Sequence, residues 1–216
     1  MRARRLAVLV VTALGILERA EAQTNVATTI GQFLLIEPSA HLAAMGNAGS
    51  AFSGEAMAAY YNPAALGSHS LWSVQFTHAR WLADIAYNYA LAVVPVAASS
   101  SVMMSITSLR SGDILVRTVE IPLGTGENYS VSDFAIGVGF GSRITDRVSA
   151  GIQVTFMQES IWHSSVSGLG VNLGTQYRLT DDGIVIGASL SNFGSRSSYA
   201  GRDLRVRYDL DPTTAG

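Results

Sequence analysis

After Ser70, the chain alternates bulky apolar and small polar residues with a period of two. Such alternation places successive side chains on opposite faces of an extended strand. The stretches 84–93 and 148–156 are longer than the norm of about five or six residues for a globular strand. The pattern therefore predicts an all-β antiparallel fold with one bulky apolar face and one small polar face. The seven predicted strands cover residues 72–77, 84–93, 101–109, 133–140, 148–156, 169–177 and 184–193.

A water-soluble sandwich would show the same alternation with its apolar face inward, so other features must separate the two folds. Charged residues gather in the connections and make up only 14% of the chain, against about a quarter in soluble domains. The polar face is small and neutral, which suits the lumen of an outer-membrane barrel. We therefore expect an antiparallel outer-membrane β-barrel, with an exported sandwich as the alternative.

The connections between the predicted strands alternate in length. Short turns are expected at 95–99, 141–146 and 180–183, and longer loops at 110–128 and 159–167. Outer-membrane barrels combine short periplasmic turns with long outer loops in this way. The pattern therefore predicts that the longer loops lie on the outer side.

Seven strands do not close a single-chain bacterial barrel, which needs an even number and no free edge. We interpret residues 70–216 as an incomplete β-barrel domain and the chain as an N-terminal fragment of a larger barrel. The alternative is a complete small barrel with an eighth strand from Leu204 to Leu210, whose polar face would carry four charged residues if Asp203 is counted with it.

The first 22 residues have the pattern of a signal peptide. A basic start, Met1 to Arg5, precedes an apolar run from Leu6 to Leu17 that falls short of the roughly 20 residues needed to span a bilayer. Ala20-Glu21-Ala22 then forms an A-x-A cleavage site. We expect cleavage before Gln23 and export of the chain, with an uncleaved anchor as the alternative.

Residues 23–69 form an N-terminal segment that lacks the strand pattern. It has no charge between Glu37 and Glu55. Pro38 can open a short helix that ends at Gly46-Asn47, and Asn62 is pushed out of the helical region because Pro63 follows it. Helices this short are not stable alone, so we expect the segment to pack against the rest of the chain.

The sequence shows no pattern for catalysis or metal binding. It has no Cys, and its four His residues show no ligand spacing. The glycine-rich runs at 137–141 and 168–174 are not followed by a helix, so they do not predict a phosphate site; on the inner face of a barrel, glycine makes room for packing. With a formal net charge of −2, a nucleic-acid partner is not expected. We predict no enzyme activity and no cofactor.

Five polar residues on the predicted strands are candidates to face the lumen. A buried carboxylate needs a partner, so the two aspartates would bond to backbone amides of the N-terminal segment or to an Arg. The alternative is that these residues line a substrate path. The candidates are Asp84, Asn88, Asp133, Gln153 and Asn172.

Three stretches resemble the PorV/PorQ family of outer-membrane proteins, which is related to the FadL-type fatty-acid transporters. The first pairs Phe33-Leu34 and Ala43-Ala44-Met45-Gly46 with Tyr60 to Leu66; the others are Ile144 to Ile161 and Leu190 to Val206. The resemblance implies a barrel of about 14 strands, with the N-terminal segment as a plug in its lumen. The implied plug motif is Met45, Gly46, Tyr61, Asn62, Pro63 and Ala64.

The resemblance also implies a function without catalysis. It points to protein export of the type IX kind, in which the outer loops bind secretion-system proteins or cargo with a C-terminal signal domain. Outer-membrane lipid would be the other partner. The alternatives are a FadL-like channel for hydrophobic small molecules and a structural surface barrel with no transported ligand.

Overall fold

The alternating segments form one large antiparallel sheet in the computed structural model. The structure describes residues 30–180, 183–195 and 197–204. The expected signal peptide at 1–22, residues 23–29 and residues 205–210 of the alternative eighth strand lie outside the described residues. The strands are β1 (Ser73–Arg80), β2 (Ala86–Ala97), β3 (Ser100–Arg110), β4 (Ile114–Leu115), β5 (Asn128–Tyr129), β6 (Val131–Arg143), β7 (Val148–Ile161), β8 (Ser164–Arg178), β9 (Val185–Gly194) and β10 (Ala200–Gly201).

The large sheet is a simple up-and-down arrangement. Its order is β1-β2-β3-β6-β7-β8, with β9 and the short β10 both paired to β8. The prediction of an all-β antiparallel fold is confirmed, and the seven predicted strands correspond to the seven long ones. Within the described residues, β1 and β9 each pair on one side only, so the sheet is open there.

The long connection between β3 and β6 contains a small separate ribbon, in which β4 pairs with β5. The prediction of a loop at 159–167 is wrong. β7 continues to Ile161 and β8 starts at Ser164, so only Trp162 and His163 form the turn. Trp162 has a φ of 51°, the positive value that a two-residue hairpin turn requires.

The N-terminal segment lies against one face of the sheet, which we call the inner face. Ser39 caps the helix Ala40–Ala44 by accepting a hydrogen bond from the Leu42 N–H at 3.2 Å. The helix ends where Gly46 and Asn47 adopt positive φ values of 67° and 63°. A second helix, Ala58–Tyr61, leads into a 3-10 turn, Pro63–Ser68. All of these pieces are short, so their stability depends on the sheet.

The hydrophobic core lies between the segment and the inner face. One cluster joins Ala56, Met57, Ala59 and Leu66 of the segment to Tyr87, Tyr89, Leu91, Val93 and Met103 of the sheet. A second joins Phe33 and Leu34 to Ala135 and Met157. Burial is therefore greatest on the face that contacts the segment.

The opposite, outer face of the sheet is apolar and exposed. Val154 is 46% exposed and Phe156 43% exposed, and the outward residues of the neighbouring strands follow the same pattern. These residues include Val74, Phe76, Ile106, Phe134, Val138, Phe140, Ile152, Leu169, Leu173, Ile186 and Leu190.

The predicted orientation of strand β2 is wrong. Tyr87, Tyr89, Leu91 and Val93 form its bulky side and were expected on the lipid-facing side of the sheet. They are instead 1–2% exposed and contact the N-terminal segment. The reason is that the segment offers small residues such as Ala56 and Ala59 at this point, which leaves room for large side chains from the sheet.

Among the described residues, no helix has the length and apolar character to cross a membrane.

Candidate functional site

The N-terminal segment is attached to the sheet through the amide of Asn62, which is fully buried. Its Oδ1 accepts a hydrogen bond from the Ala64 N–H at 3.0 Å and so caps the turn that Pro63 begins. Its Nδ2 donates to the backbone oxygens of Ser50 at 2.6 Å and Thr175 at 3.1 Å. One side chain therefore joins two parts of the segment to strand β8.

A row of three glycines receives this part of the segment. Gly141, Gly151 and Gly174 lie directly opposite one another on β6, β7 and β8, and we call them the glycine row. A Cβ atom on Gly141 or Gly151 would collide with the Pro63 carbonyl, and one on Gly174 would collide with the Asn62 side chain. The backbone of the segment can approach the sheet this closely only because these positions have no side chain.

Four residues of the expected plug motif meet at or near the glycine row, and two do not. Asn62, Pro63 and Ala64 are buried against the sheet, and Tyr61 is half-buried beside them. Met45 is 46% exposed, and Gly46 is exposed at the end of the first helix. The motif therefore divides into a part that contacts the sheet and an exposed bend, at Met45 and Gly46, that ends the first helix.

Gln153 and Asn172 lie side by side on the inner face, one step from the glycine row toward the β7–β8 turn. The Asn172 amide donates to Gln153 Oε1 at 3.0 Å, and the Gln153 amide donates to Ser105 Oγ at 3.4 Å. Asn172 Oδ1 accepts from the Asn192 N–H at 2.6 Å. These bonds fix the orientation of polar groups from β3, β7, β8 and β9.

The expected positions of Asp84 and Asn88 on the polar inner face are wrong. Asp84 is exposed in the connection between β1 and β2 and has a φ of 59°. Asn88 lies on β2 but points to the outer face, where its Oδ1 is 2.8 Å from His78 Nδ1. The error at Asn88 follows from the orientation of β2, whose buried side is the tyrosine side, and the error at Asp84 arises because β2 begins only at Ala86.

Asp133 lies on the inner face of β6, directly opposite Glu159 of β7. Glu159, and not Asp133, binds the segment. Its Oε1 accepts the Gly31 N–H at 2.5 Å, and its Oε2 accepts the Tyr199 hydroxyl at 2.7 Å. Glu159 was not among the predicted site residues because 159–167 was expected to be a loop; the alternation of β7, continued past Phe156, places it on the inner face.

A cavity of about 250 Å³ lies between the segment and the inner face. Its walls carry hydroxyl and amide groups, and the rings of Tyr60, Tyr61 and Tyr89 contribute to its lining. The polar wall residues from the sheet are Ser105, Thr107, Gln153, Thr155, Asn172, Ser189, Ser191 and Asn192, and the segment adds Asn47 and Ser50. Glu37 is the one charged residue among the described residues that line it, and the carboxylate accepts a hydrogen bond from Asn47.

The tyrosines of this region differ in their hydrogen bonding. The Tyr60 hydroxyl donates to the backbone oxygens of Leu34 and Ile36, and the Tyr87 hydroxyl donates to that of Ile36. The buried hydroxyl of Tyr61 has no hydrogen-bond partner in the described part of the chain. Burial raises the pKa of Tyr61 to about 12, so the group stays neutral near pH 7.

The Tyr89 hydroxyl is also buried, and it faces Ser105 without a hydrogen bond of normal geometry. Two neutral hydroxyls at the cavity therefore have unused hydrogen-bonding capacity.

The described residues contain no group of three His, Asp or Glu side chains placed to hold a metal ion. A scan against protein-family models found no match to the chain, and searches of curated proteins and of solved structures also found none.

Proposed function

We propose that this chain belongs to an outer-membrane β-barrel in which the N-terminal segment is a plug, and that it acts without catalysis in protein export of the type IX kind. The observation that supports the membrane location is the reversed distribution of side chains. The outer face is apolar yet exposed, with Val74 81% and Phe76 67% exposed. The inner face is covered by the segment, and on β6, β7 and β8 it carries mostly small or polar side chains.

The size of this apolar face supports lipid as its environment. Soluble proteins rarely expose contiguous apolar patches larger than a few hundred Å², whereas this face extends over seven long strands. Strands β6, β7 and β8 have 13, 14 and 15 residues. A tilted strand needs about 9–11 residues to cross a bilayer, so each of them is long enough.

The export role rests on the resemblance to the PorV/PorQ family and on the character of the long-loop end. On the connection between β4 and β5, Val119 is 95% exposed and Leu123 91% exposed. Exposed apolar side chains on a loop suit contact with another protein. Secretion-system proteins or exported cargo are the proposed partners.

The structure favours export over FadL-like transport of hydrophobic molecules. Such transport would need an apolar path past the plug. The cavity beside the segment has hydroxyl and amide walls, and the Pro63–Ser68 turn fills the short-turn end of the inner face. Both features oppose the passage of an apolar chain.

Fractionation tests the membrane part of this proposal. The protein should sediment with outer membranes, resist salt extraction and migrate differently on gels with and without heating. Recovery in the soluble fraction after a salt wash would refute the membrane location.

The export part needs a separate experiment in the source cell. Deletion of the gene should retain cargo with C-terminal signal domains inside the cell. The wild-type chain should restore export, whereas Val119→Asp with Leu123→Asp should not. The matched control is Ile144→Asp, an exposed apolar residue in a turn at the opposite end. Normal export in the deletion strain would favour a structural barrel without cargo.

A further inference from the structure

We propose that the cavity between the N-terminal segment and the inner face binds a small neutral sugar or polyol. This inference goes beyond the role in export and does not depend on it. The volume of about 250 Å³ lies just below the range of about 300–1,000 Å³ that is usual for ligand pockets. It therefore suits a molecule the size of a single sugar ring.

The wall chemistry selects a neutral, hydroxyl-rich ligand. Hydroxyl and amide side chains from β3, β7, β8 and β9 line the cavity. These groups both donate and accept hydrogen bonds, as sugar hydroxyls do. An apolar ligand would offer no hydrogen bond to the donors and acceptors that the contacts among these groups leave free, which is costly in a buried site.

The same walls disfavour ionic ligands. No Lys, Arg or His is among the described residues that line the cavity, so an anion would have no counter-charge. A cation would find only Glu37, which lies at the exposed margin and accepts a hydrogen bond from Asn47. Burial of a charge without a partner is unfavourable.

Two tyrosine hydroxyls supply the observation that points to an occupant. Tyr89 is 2% exposed, and neither its hydroxyl nor that of Tyr61 makes a normal hydrogen bond in the described part of the chain. An unsatisfied buried polar group costs about 1–3 kcal/mol. A ligand hydroxyl that approached either group would give it the partner that it lacks.

The rings of these tyrosines add a second element of sugar recognition. Tyr60 packs edge-on against Tyr61 at 5.0 Å and against Tyr89 at 5.6 Å between ring centroids. This packing groups the three rings at one side of the cavity. A sugar has hydroxyls at its rim and C–H groups on its faces, so it can contact both surfaces at once.

Titration calorimetry on the full chain in mild detergent tests the proposal. The probes are glucose, N-acetylglucosamine and myo-inositol, with glucose 6-phosphate and palmitate as the charged and apolar comparators. We expect saturable binding of at least one neutral probe and none of the comparators. The absence of saturable binding for all three neutral probes would overturn the proposal, as would tighter binding of palmitate.

Two variants locate the binding to this cavity. Tyr61→Phe removes a hydroxyl that has no partner, so it should leave the fold intact and weaken the sugar about tenfold, which is roughly the effect of one lost hydrogen bond. Gln153→Leu should weaken the sugar at least as much. The matched control is Gln158→Leu, on the outer face of the same strand, which should bind as the wild type does. Equal affinity in all three variants would refute this location, whatever the outcome of the export experiment.

Discussion

At the scale of single residues, Asn62 is a buried side chain that joins the segment to the sheet. It is 0% exposed, and both ends of its amide are hydrogen-bonded. Asparagine is required here because one oxygen must accept from Ala64 while one nitrogen donates to backbone carbonyls. An aspartate has nearly the same shape but lacks the donor.

We expect Asn62→Asp to destabilise the fold by about 3 kcal/mol or more at neutral pH, since it buries an unpaired charge against carbonyl oxygens. The loss should shrink as the pH falls toward the ordinary Asp pKa of about 4, because burial favours the neutral carboxyl. Thermal unfolding in detergent across this pH range provides the measurement. Asn88→Asp, near the start of β2, is the control and should cost much less, because a charge on the lipid face costs little near the end of a strand; equal losses would contradict the assigned role of Asn62.

The glycine row leads to a second prediction at this scale. A Cβ on Gly151 would collide with the Pro63 carbonyl and lie 2.7 Å from the Ala64 nitrogen. We expect Gly151→Ala to destabilise the fold by about 1–3 kcal/mol, the usual cost of overpacking, although alanine is ordinarily better than glycine in a strand. Gly112→Ala, which would meet nothing within 4 Å, should be neutral in the same unfolding measurement. A neutral Gly151→Ala would show that the segment is not in close contact there.

At the scale of elements, the segment 30–69 behaves as one element docked on the sheet. Its contacts run from Gly31, bonded to Glu159 near the β7–β8 turn, to Gly67, beside Arg143 at the opposite end of the sheet. Neither of its helices exceeds five residues. The sheet therefore supplies most of its stability.

Engineered cysteines can test this docking, because the chain has no cysteine of its own. The hydroxyl oxygens of Ser50 in the segment and Ser189 in β9 are 3.2 Å apart. We expect Ser50→Cys with Ser189→Cys to form a disulfide under mild oxidation without loss of the folded form. Mass spectrometry before and after reduction detects the bond.

The control pair is Ser50→Cys with Ser167→Cys, since Ser167 points outward from β8. It should not cross-link within one molecule. Cross-linking of the control, or cross-linking of the first pair only after denaturation, would contradict the docked arrangement.

The strands were largely predictable from sequence, but their surroundings were not. β6 and β7 place bulky apolar residues on one face and mostly glycine or polar residues on the other. The sequence therefore predicted both that these segments are strands and which face each side chain occupies. β2 has apolar residues on both faces, and its orientation depends on small residues such as Ala56 and Ala59, far away in the chain. Alternation alone cannot supply that information.

The same limit explains the missed hairpin between β7 and β8. Ser165, Ser167 and Gly168 have the composition of a loop, but their pairing with Met157, Gln158 and Ser160 keeps them in strand β8. Pairing across strands overrides weak local preference. The Asn62-Pro63 bend was predictable because proline acts locally, whereas the partners of Asn62 were not.

At the scale of the whole molecule, the outer face decides which environment the protein needs. Val154 lies near the middle of β7, opposite Val138 and Val171 on the adjacent strands. In a bilayer this position would be deep in the hydrocarbon. In water it would form part of an exposed apolar surface.

We therefore expect Val154→Arg to reduce the stability of the folded protein in lipid vesicles by about 2–4 kcal/mol, the cost of Arg near the bilayer midplane. Val154→Leu is the control and should change little. Denaturant titration of vesicle-bound protein measures both. Unchanged stability of Val154→Arg, with more protein in the soluble fraction, would contradict a lipid-facing position.

The glycine row also sets an order of events in folding. The segment precedes the strands in the chain, yet its short helices cannot persist before the sheet exists. The row is straight only when β6, β7 and β8 are in register, so the Pro63 backbone has no complementary surface until then. A one-residue slip of β7 would turn the side chain of Ala150 or Ile152 toward Pro63. The segment can therefore dock only after β6, β7 and β8 have paired in the correct register.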